Sequence, residues 1–236
     1  MIIHQRGASV LLITQPDHAA LAARIMRRWQ YDDLARSPRR DEILFALEHH
    51  DDGWLDVDSA PLVDATNGAL LDFISAPESV RRGIWPRGVA RLAESPYAAA
   101  LVAQHALHIY RRCRDDTAWQ FFFDEMETLR AQHLRAAAPA TLDALLRDYR
   151  WVRTGDLLSL VFCNGWTDVQ IDERGGSARL LDDRLVLTPD PFAGESVPLA
   201  VTGREMPTAT FDSEEDARAA YARAPAATLS GVAAGA

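Results

Sequence analysis

The stretch "EHHDDGW", from Glu48 to Trp54, places two histidines and two aspartates at the end of an apolar run with helical periodicity. A helix that packs on a core buries hydrophobic side chains along one face. Ile43, Leu47 and His50 share that face, so His50 occupies a position where a hydrophobic residue is expected. The pattern predicts a buried polar site whose remaining members come from other parts of the chain.

Polar residues also interrupt the apolar stripes of three further predicted helices. His18 lies in the first helix, His105 in the helix that begins at Ser95–Pro96, and Asp156 in the last long helix. A buried imidazole or carboxylate is costly unless it is paired or binds a metal. Taken singly, each residue has a structural explanation, such as a helix cap for Asp156. Together they predict a site for one or two divalent ions (Fe, Mn or Zn), with the ligands His18, His50, Asp51, His105 and Asp156.

Composition narrows the class of protein. The 236 residues carry a formal net charge of -9 and are 48% hydrophobic. Such an acidic surface disfavours nucleic acid, and the absence of a long apolar run disfavours a membrane-spanning segment. The two cysteines, Cys113 and Cys163, are far apart, which favours a reducing cytoplasm over a disulfide framework. We expect a small-molecule substrate as the partner, no nucleic acid and no membrane, and leave a homodimer open.

The predicted fold is mainly α. Residues 1–14 read as a short β-hairpin, helices follow up to 165, and residues 55–94 read as a long irregular excursion. After 165, "TDVQIDERGGSARLLDDRLVLTP" and "SVPLAVTG" read as strands, and "SEEDARAAYARA" reads as a short helix. The expected domains are a helical metal-binding domain at 1–165, a β-rich appendage packed on it at 166–224, and a flexible tail at 225–236.

The order of the candidate ligands resembles that of the HD superfamily of metal-dependent hydrolases and oxygenases. In that superfamily a His-Asp doublet ends one helix, and a lone histidine and a late aspartate come from neighbouring helices. The resemblance implies an HD-like helical bundle, with His18 as the first histidine, His50 and Asp51 as the doublet, and Asp156 as the final aspartate. His105 is similar to an added histidine of two-metal members, which usually supply two; His108 is the only second candidate here.

More closely, the chain resembles an uncharacterised bacterial family catalogued as domain of unknown function 3891. The matching stretches include "LITQPDHAALA", "EHHDDGWLDVDSAP", "SPYAAALVAQHALHIY" and "GDLLSLVFC", spread over most of the chain. This family brings no function with it, so functional expectations come from the HD-like ligand pattern alone.

Under that pattern the expected function is metal-dependent hydrolysis, with a phosphoester-type substrate favoured. A bound metal lowers the pKa of its water toward about 7 and so provides hydroxide at neutral pH. Asp51 and His105 are the expected catalytic residues, because a bridging carboxylate and a proton-transferring imidazole suit those roles. The expected substrate-binding residues are Gln15, Trp54, Arg81, Arg82 and His108; Arg87 is a further candidate, and solvated loop charges are the simpler explanation for all three arginines.

Two alternatives remain open at this stage. The first is a mixed-valent di-iron oxygenase on the same fold, which would use nearly the same ligands. The second is a non-enzymatic ligand-binding or interaction protein, in which the histidines hydrogen-bond to one another and hold no metal.

Overall fold

A computed structural model describes residues 1–171 and 176–236 of the chain. Part of the strand-like stretch after 165, residues 172–175, therefore lies outside the described residues. The helices are α1 (Gln15–Arg27), α2 (Arg40–His49), α3 (Glu78–Arg91), α4 (Pro96–Ile109), α5 (Gln120–Ala136), α6 (Leu142–Asn164) and α7 (Glu214–Arg223). The strands are β1 (Ile2–Arg6), β2 (Ser9–Ile13), β3 (Leu62–Val63), β4 (Leu70–Leu71), β5 (Asp168–Gln170), β6 (Ser177–Leu181), β7 (Arg184–Thr188), β8 (Ser196–Pro207) and β9 (Ala226–Gly235).

The described strands form a seven-stranded sheet in the order β1-β2-β8-β9-β7-β6-β5, and β3 and β4 form a separate hairpin. The N-terminal hairpin belongs to the large sheet because β2 pairs antiparallel with β8, with Val10 opposite Met206. Farther along, β8 pairs with β9, where Val201 lies opposite Leu229. β9 in turn runs parallel to β7. The two ends of the chain therefore share one sheet.

This sheet shows that the predicted fold class, a mainly α bundle with a small β-rich appendage, is wrong. The predicted flexible tail at 225–236 is instead mostly a strand: residues 226–235 form β9, in which 226–234 pair with β8 and 232–235 pair with β7. β8 alternates between exposed and buried residues, as a strand with one covered face does. Its partners lie far away in sequence, and the Ala/Gly-rich β9 has little hydrophobic signal of its own, so local patterns did not indicate the pairing.

The helices and the sheet share one hydrophobic core. α1 contacts β8, and α6 contacts β1 and β6, while both helices also pack against α2. Buried residues of the sheet such as Leu11, Leu185 and Val197 belong to the same cluster as Leu21 and Leu47 of the helices. α1 and α6 thus lie between the sheet and the remaining helices. Among the described residues, no helix is both long and apolar enough to cross a membrane.

The region 55–94 is more ordered than its sequence indicates. It contains the β3–β4 hairpin and the helix α3, which buries Ile84, Trp85 and Val89. Gly83, Pro86 and Gly88 lie inside this helix and lower its intrinsic helical propensity. Tertiary packing therefore compensates for a locally weak helix, which is why periodicity did not reveal it.

Candidate metal centre

Four helical segments bring the five predicted ligands together. His18 lies on α1, His105 on α4 and Asp156 on α6, whereas His50 and Asp51 directly follow α2. The three histidines and Asp51 are almost fully buried, and the Asp156 side chain is 14% exposed. Two groups share His50, namely His18–His50–Asp51 and His50–His105–Asp156, and the potential ligand atoms of each group lie within 4.8 Å of one another.

Imidazole nitrogens and carboxylate oxygens face each other across this cluster. His18 Nε2 lies 2.8 Å from Asp51 Oδ2 and 4.0 Å from Asp156 Oδ1. His50 Nε2 lies 3.4 Å from each of the same two oxygen atoms. His105 Nε2 lies 3.6 Å from the other oxygen of Asp156, Oδ2. The Nε2 atoms of His18 and His50 therefore both lie within 4.0 Å of the same two carboxylate oxygens, and His105 Nε2 lies near Asp156.

The hydrogen bonds of His18 and His50 define which nitrogen each ring turns to the cluster. His50 Nδ1 donates to the carbonyl oxygen of Leu47 at 2.7 Å. Ser159 Oγ donates its proton to the carbonyl oxygen of Asp156, so it accepts from His18 Nδ1 at 2.8 Å. Each ring therefore turns its Nε2 atom toward the carboxylates. His50 Nε2 is buried and has no hydrogen-bond partner in the described structure. A lone pair facing a carboxylate is unfavourable unless a proton or a cation lies between them.

The electrostatics of the cluster indicate the same need for positive charge. Burial lowers the pKa of His50, but the charges of Asp51 and Asp156 and a contact with Asp156 outweigh it and raise this pKa to about 9. Burial raises the pKa of Asp156, but the neighbouring histidines outweigh it and bring this pKa to about 2. The pKa of Asp51 is lowered in the same way, against burial, by His50 and His18. The two carboxylates stay ionised and attract a positive charge to the space between them.

His105 has a different environment. Its Nδ1 lies 3.1 Å from the Tyr149 hydroxyl, and its Nε2 faces Asp156. Burial lowers the pKa of His105 to about 4, and the charge of Asp156 opposes this only in part. His105 is therefore neutral at pH 7 and can act as a ligand or as a proton acceptor.

A close approach of backbones positions the His-Asp doublet. Gly53, two residues after Asp51, packs against α3 so tightly that a Cβ atom there would overlap the carbonyl oxygen of Ile84. On the α3 side, a Cβ at Gly88 would lie 3.2 Å from the backbone nitrogen of Gly53. Glycine is needed here for space, and the helix α2 ends earlier, at His49.

A second glycine positions the late aspartate. Gly155 directly precedes Asp156, and a Cβ at this position would lie 2.7 Å from Met26 Cγ of α1 and would overlap the Leu47 side chain of α2. α6 therefore approaches both helices closely at the residue before the ligand. This packing brings the carboxylate within reach of His18 and His50.

A cavity of about 60 Å³ lies next to the cluster. Both Gln15 and Trp54, which the sequence indicated as substrate-binding residues, line it. Its walls are mostly aromatic or aliphatic. Besides the ligands His18, Asp51, His105 and Asp156, it is lined by Gln15, Trp54, Phe73, Trp85, Ile109, Tyr110 and Leu160.

A family model described as a protein of unknown function (DUF3891) matches residues 1–208. The chain belongs to this family. No curated protein and no solved structure matches the chain significantly. All the candidate ligands of this DUF3891 protein lie inside the matched residues, while α7 and β9 follow them. The family description assigns no activity, so the function has to be argued from the site.

The other predicted substrate-binding residues of this DUF3891 protein do not line the cavity. Arg81 donates from Nε to the carbonyl oxygen of Ala76 at 2.9 Å. Arg82 donates to the carbonyl oxygen of Ala118, and its guanidinium lies over the Trp119 ring. His108 is close to Tyr149, with ring centroids 5.4 Å apart, and is not among the residues that line the cavity. Arg87 is exposed.

Several site residues were missed in the sequence. Trp85 lies on α3, whose sequence lacks a clear helical pattern. Phe73 lies in the segment just before this helix. Ser159 follows Asp156 by three residues, a spacing that places both on one helical face and could have indicated a supporting role. Tyr110 ends α4 and lies one residue beyond the apolar stripe of that helix.

Proposed function

We propose that this protein is a metal-dependent hydrolase in which His18, His50, Asp51 and Asp156 hold one divalent cation. One observation carries the proposal: both histidines use Nδ1 on a protein acceptor and turn Nε2 toward two ionised carboxylates. One divalent cation would accept both Nε2 lone pairs and balance the charge of both carboxylates at the same time.

The dimensions and the chemistry of the cluster support this ion. Ligand atoms bound at roughly 2.0–2.2 Å from a common ion lie about 3–4 Å apart. The four distances between the Nε2 atoms of His18 and His50 and the facing oxygens run from 2.8 to 4.0 Å. Two imidazoles and two carboxylates suit Zn, Mn or Fe, whereas Mg and Ca prefer oxygen ligands alone.

A single ion fits the donors better than two. His50 contributes only Nε2, because its Nδ1 is bonded to Leu47. The two groups that share His50 therefore compete for this one nitrogen atom. His105 and Asp156 Oδ2 alone would be a poor second site, so His105 is better assigned to proton transfer beside the first ion.

In hydrolysis, water adds across the scissile bond, with OH going to the electrophilic atom and a proton going to the leaving group. A bound divalent cation would lower the pKa of a coordinated water and make it nucleophilic at neutral pH. His105, whose Nε2 lies 3.6 Å from Asp156 Oδ2 at the edge of this cluster, would exchange a proton with substrate or water there. Asp51 would contribute Oδ2, which lies 2.8 Å from His18 Nε2 and 3.4 Å from His50 Nε2.

The phosphoester preference has less support than hydrolysis itself. It comes from the HD-like ligand pattern alone, and Arg81 and Arg82, which could have bound a phosphate, make other hydrogen bonds and do not line the cavity. The di-iron oxygenase alternative would need two complete metal sites, which the shared His50 does not favour. We therefore retain hydrolysis as the proposal and treat the oxidative reaction as an outcome of its test.

Metal analysis of the intact chain, purified without chelator, tests the proposal. We expect about one equivalent of Zn, Mn or Fe per chain, and loss of this metal in Asp51→Asn but not in the matched variant Asp52→Asn. Asp52 is the neighbouring carboxylate, and it pairs with His49. An equal metal content in the parent and in Asp51→Asn would contradict the proposed site.

The reaction class is tested separately with the metal-loaded chain. Release of nitrophenol from nitrophenyl acetate that disappears with chelator and returns with added metal would support hydrolysis. Two irons per chain with a mixed-valence EPR signal, together with dioxygen consumption, would overturn it in favour of oxygenation.

A further inference from the structure

We propose that the cavity beside the cluster binds a small uncharged molecule through an oxygen atom, which accepts hydrogen bonds from Gln15 and Trp85. This inference rests on the proposed function, because it places the oxygen next to the bound cation. It concerns the substrate class of that site, and it excludes phosphate esters.

Two unpaired donors point to such a ligand. Gln15 is 1% exposed and Trp85 is 3% exposed, and both line the cavity. Gln15 Nε2 is buried and has no hydrogen-bond partner among the described residues. Trp85 Nε1 is also buried; it lies close to the Tyr110 hydroxyl but forms no hydrogen bond of proper geometry with it. Buried N–H groups without an acceptor are costly, so native structures rarely leave two of them beside one cavity. An oxygen atom of a ligand would satisfy both.

The charge of the site argues against an anionic ligand. The charged lining groups are Asp51 and Asp156, and a divalent cation would neutralise them. No arginine is among the lining residues that the structure describes. A phosphate dianion would therefore carry uncompensated charge into a largely apolar cavity, which is strongly unfavourable. A neutral amide, ester or alcohol carries no such charge.

The lining residues and the volume of the cavity limit what the rest of the ligand can be. Trp54, Phe73 and Leu160 offer apolar surface opposite the polar cluster. The cavity volume is about 60 Å³, and a water-sized group needs roughly 15 Å³ of such space, which leaves room for about four non-hydrogen atoms. Ile109 is 41% exposed and also lines the cavity, so the opening lies on its side. The ligand is a small molecule, or the small end of a larger one that enters past Ile109.

Binding of two probes to the Mn²⁺-loaded full chain tests this inference. Acetamide is neutral and has four non-hydrogen atoms, and inorganic phosphate carries the disfavoured charge. Paramagnetic broadening of the acetamide methyl protons and of the phosphorus resonance reports the affinity of each. We expect acetamide to bind at least about tenfold more tightly than phosphate, since the phosphate charge has no partner in the cavity.

Two variants then distinguish the contribution of the two hydrogen-bond donors to ligand binding from that of the metal. Gln15→Leu and Trp85→Phe remove one donor each and keep much of the side-chain volume. We expect each to weaken acetamide binding by about tenfold, the usual effect of losing one hydrogen bond to a ligand, and to leave Mn²⁺ affinity within about twofold. Gln132→Leu, on the exposed side of α5, is the matched control and should change neither affinity.

The outcomes are distinguishable. Failure of the parent to bind Mn²⁺ would overturn both the proposed function and this inference. Normal Mn²⁺ binding, combined with tighter binding of phosphate than of acetamide, would overturn the inference alone. Acetamide binding that is unchanged in both Gln15→Leu and Trp85→Phe would also overturn it, whereas a loss confined to these two variants would support it.

Discussion

Two His–Asp pairs lie side by side in "EHHDDGW", and they differ in solvent exposure and in hydrogen bonding. His49 and Asp52 form the outer pair, with His49 Nδ1 2.9 Å from Asp52 Oδ2 and side chains 34% and 18% exposed. His50 and Asp51 form the inner pair, which is almost fully buried. His50 Nε2 lies 3.4 Å from Asp51 Oδ2 and is not hydrogen-bonded to it.

This difference indicates which of the two neighbouring pairs belongs to the candidate site. The outer pair is complete by itself and has water nearby, so it contributes little beyond a surface contact. The inner pair is incomplete and dry, and His18 and Asp156 from two other helices converge on it. Two buried carboxylates are costly to keep unless positive charge balances them. The unsatisfied pair is therefore the candidate site.

The largest expected effect on metal affinity comes from replacing each of the two histidines with alanine, one at a time. His50→Ala removes a proposed ligand, so we expect the affinity for Zn²⁺ or Mn²⁺ to fall by more than about 100-fold, beyond what loss of a supporting hydrogen bond costs. His49→Ala changes the same residue type one position away and should stay within about twofold. Isothermal titration of both variants measures this. Equal losses would remove the distinction between the inner and outer pairs.

The next effect concerns the glycine that positions the inner pair. In Gly53→Ala the new methyl group meets the backbone of α3 at Ile84, which cannot move aside easily. We expect a loss of about 3 kcal/mol in the free energy of unfolding, measured by urea denaturation. Gly83→Ala, within α3 itself, is the control: its Cβ would lie 3.6 Å from an Arg87 nitrogen. That variant should gain up to about 1 kcal/mol from higher helical propensity.

Ser159 tests whether the orientation of His18 matters. Ser159→Ala removes the acceptor for His18 Nδ1 and leaves the proposed ligands in place. We expect metal affinity to fall by about tenfold, the lower end of the range for residues that orient a ligand. A metal titration of the folded variant measures the change. If affinity does not change, the hydrogen bond to Ser159 does not determine which nitrogen His18 presents.

The smallest effect should come from His108, which the sequence indicated beside His105. His108→Ala should change metal affinity by less than about threefold, because His108 does not line the cavity.

His105→Ala should likewise retain most of the metal but slow any metal-dependent hydrolysis by about 100-fold, a typical value for a lost proton acceptor. Assays of both variants on nitrophenyl acetate make the comparison. Loss of one metal equivalent in His105→Ala would instead assign this residue as a ligand.

The candidate site was more predictable than the fold around it. Each proposed ligand interrupts an apolar stripe of regular period, and a stripe reports locally which face of a helix is buried. His18, His105 and Asp156 could therefore be placed without knowing how their helices pack. Trp85 could not, because α3 contains two glycines and a proline, which lower its helical propensity and obscure its period.

The strand pairing of the large sheet could not be predicted for a related reason. Strands β8 and β2 are each recognisable, but their pairing, with Val10 opposite Met206, joins positions nearly at opposite ends of the chain. A period of two shows that a strand has a buried face and gives no information about the partner. β9 lacks even this signal, because most of its residues are small.

The sequence by itself determined which side chains of this DUF3891 protein are buried against expectation, because helical periodicity is a local property of the chain. Only the tertiary structure decided that these side chains meet, and that His18 and His50 both turn Nε2 toward the same carboxylates. It also decided that the arginines lie outside the cavity and that both ends of the chain share one sheet. Contacts between residues distant in sequence depend on packing of the whole core, which no single segment encodes.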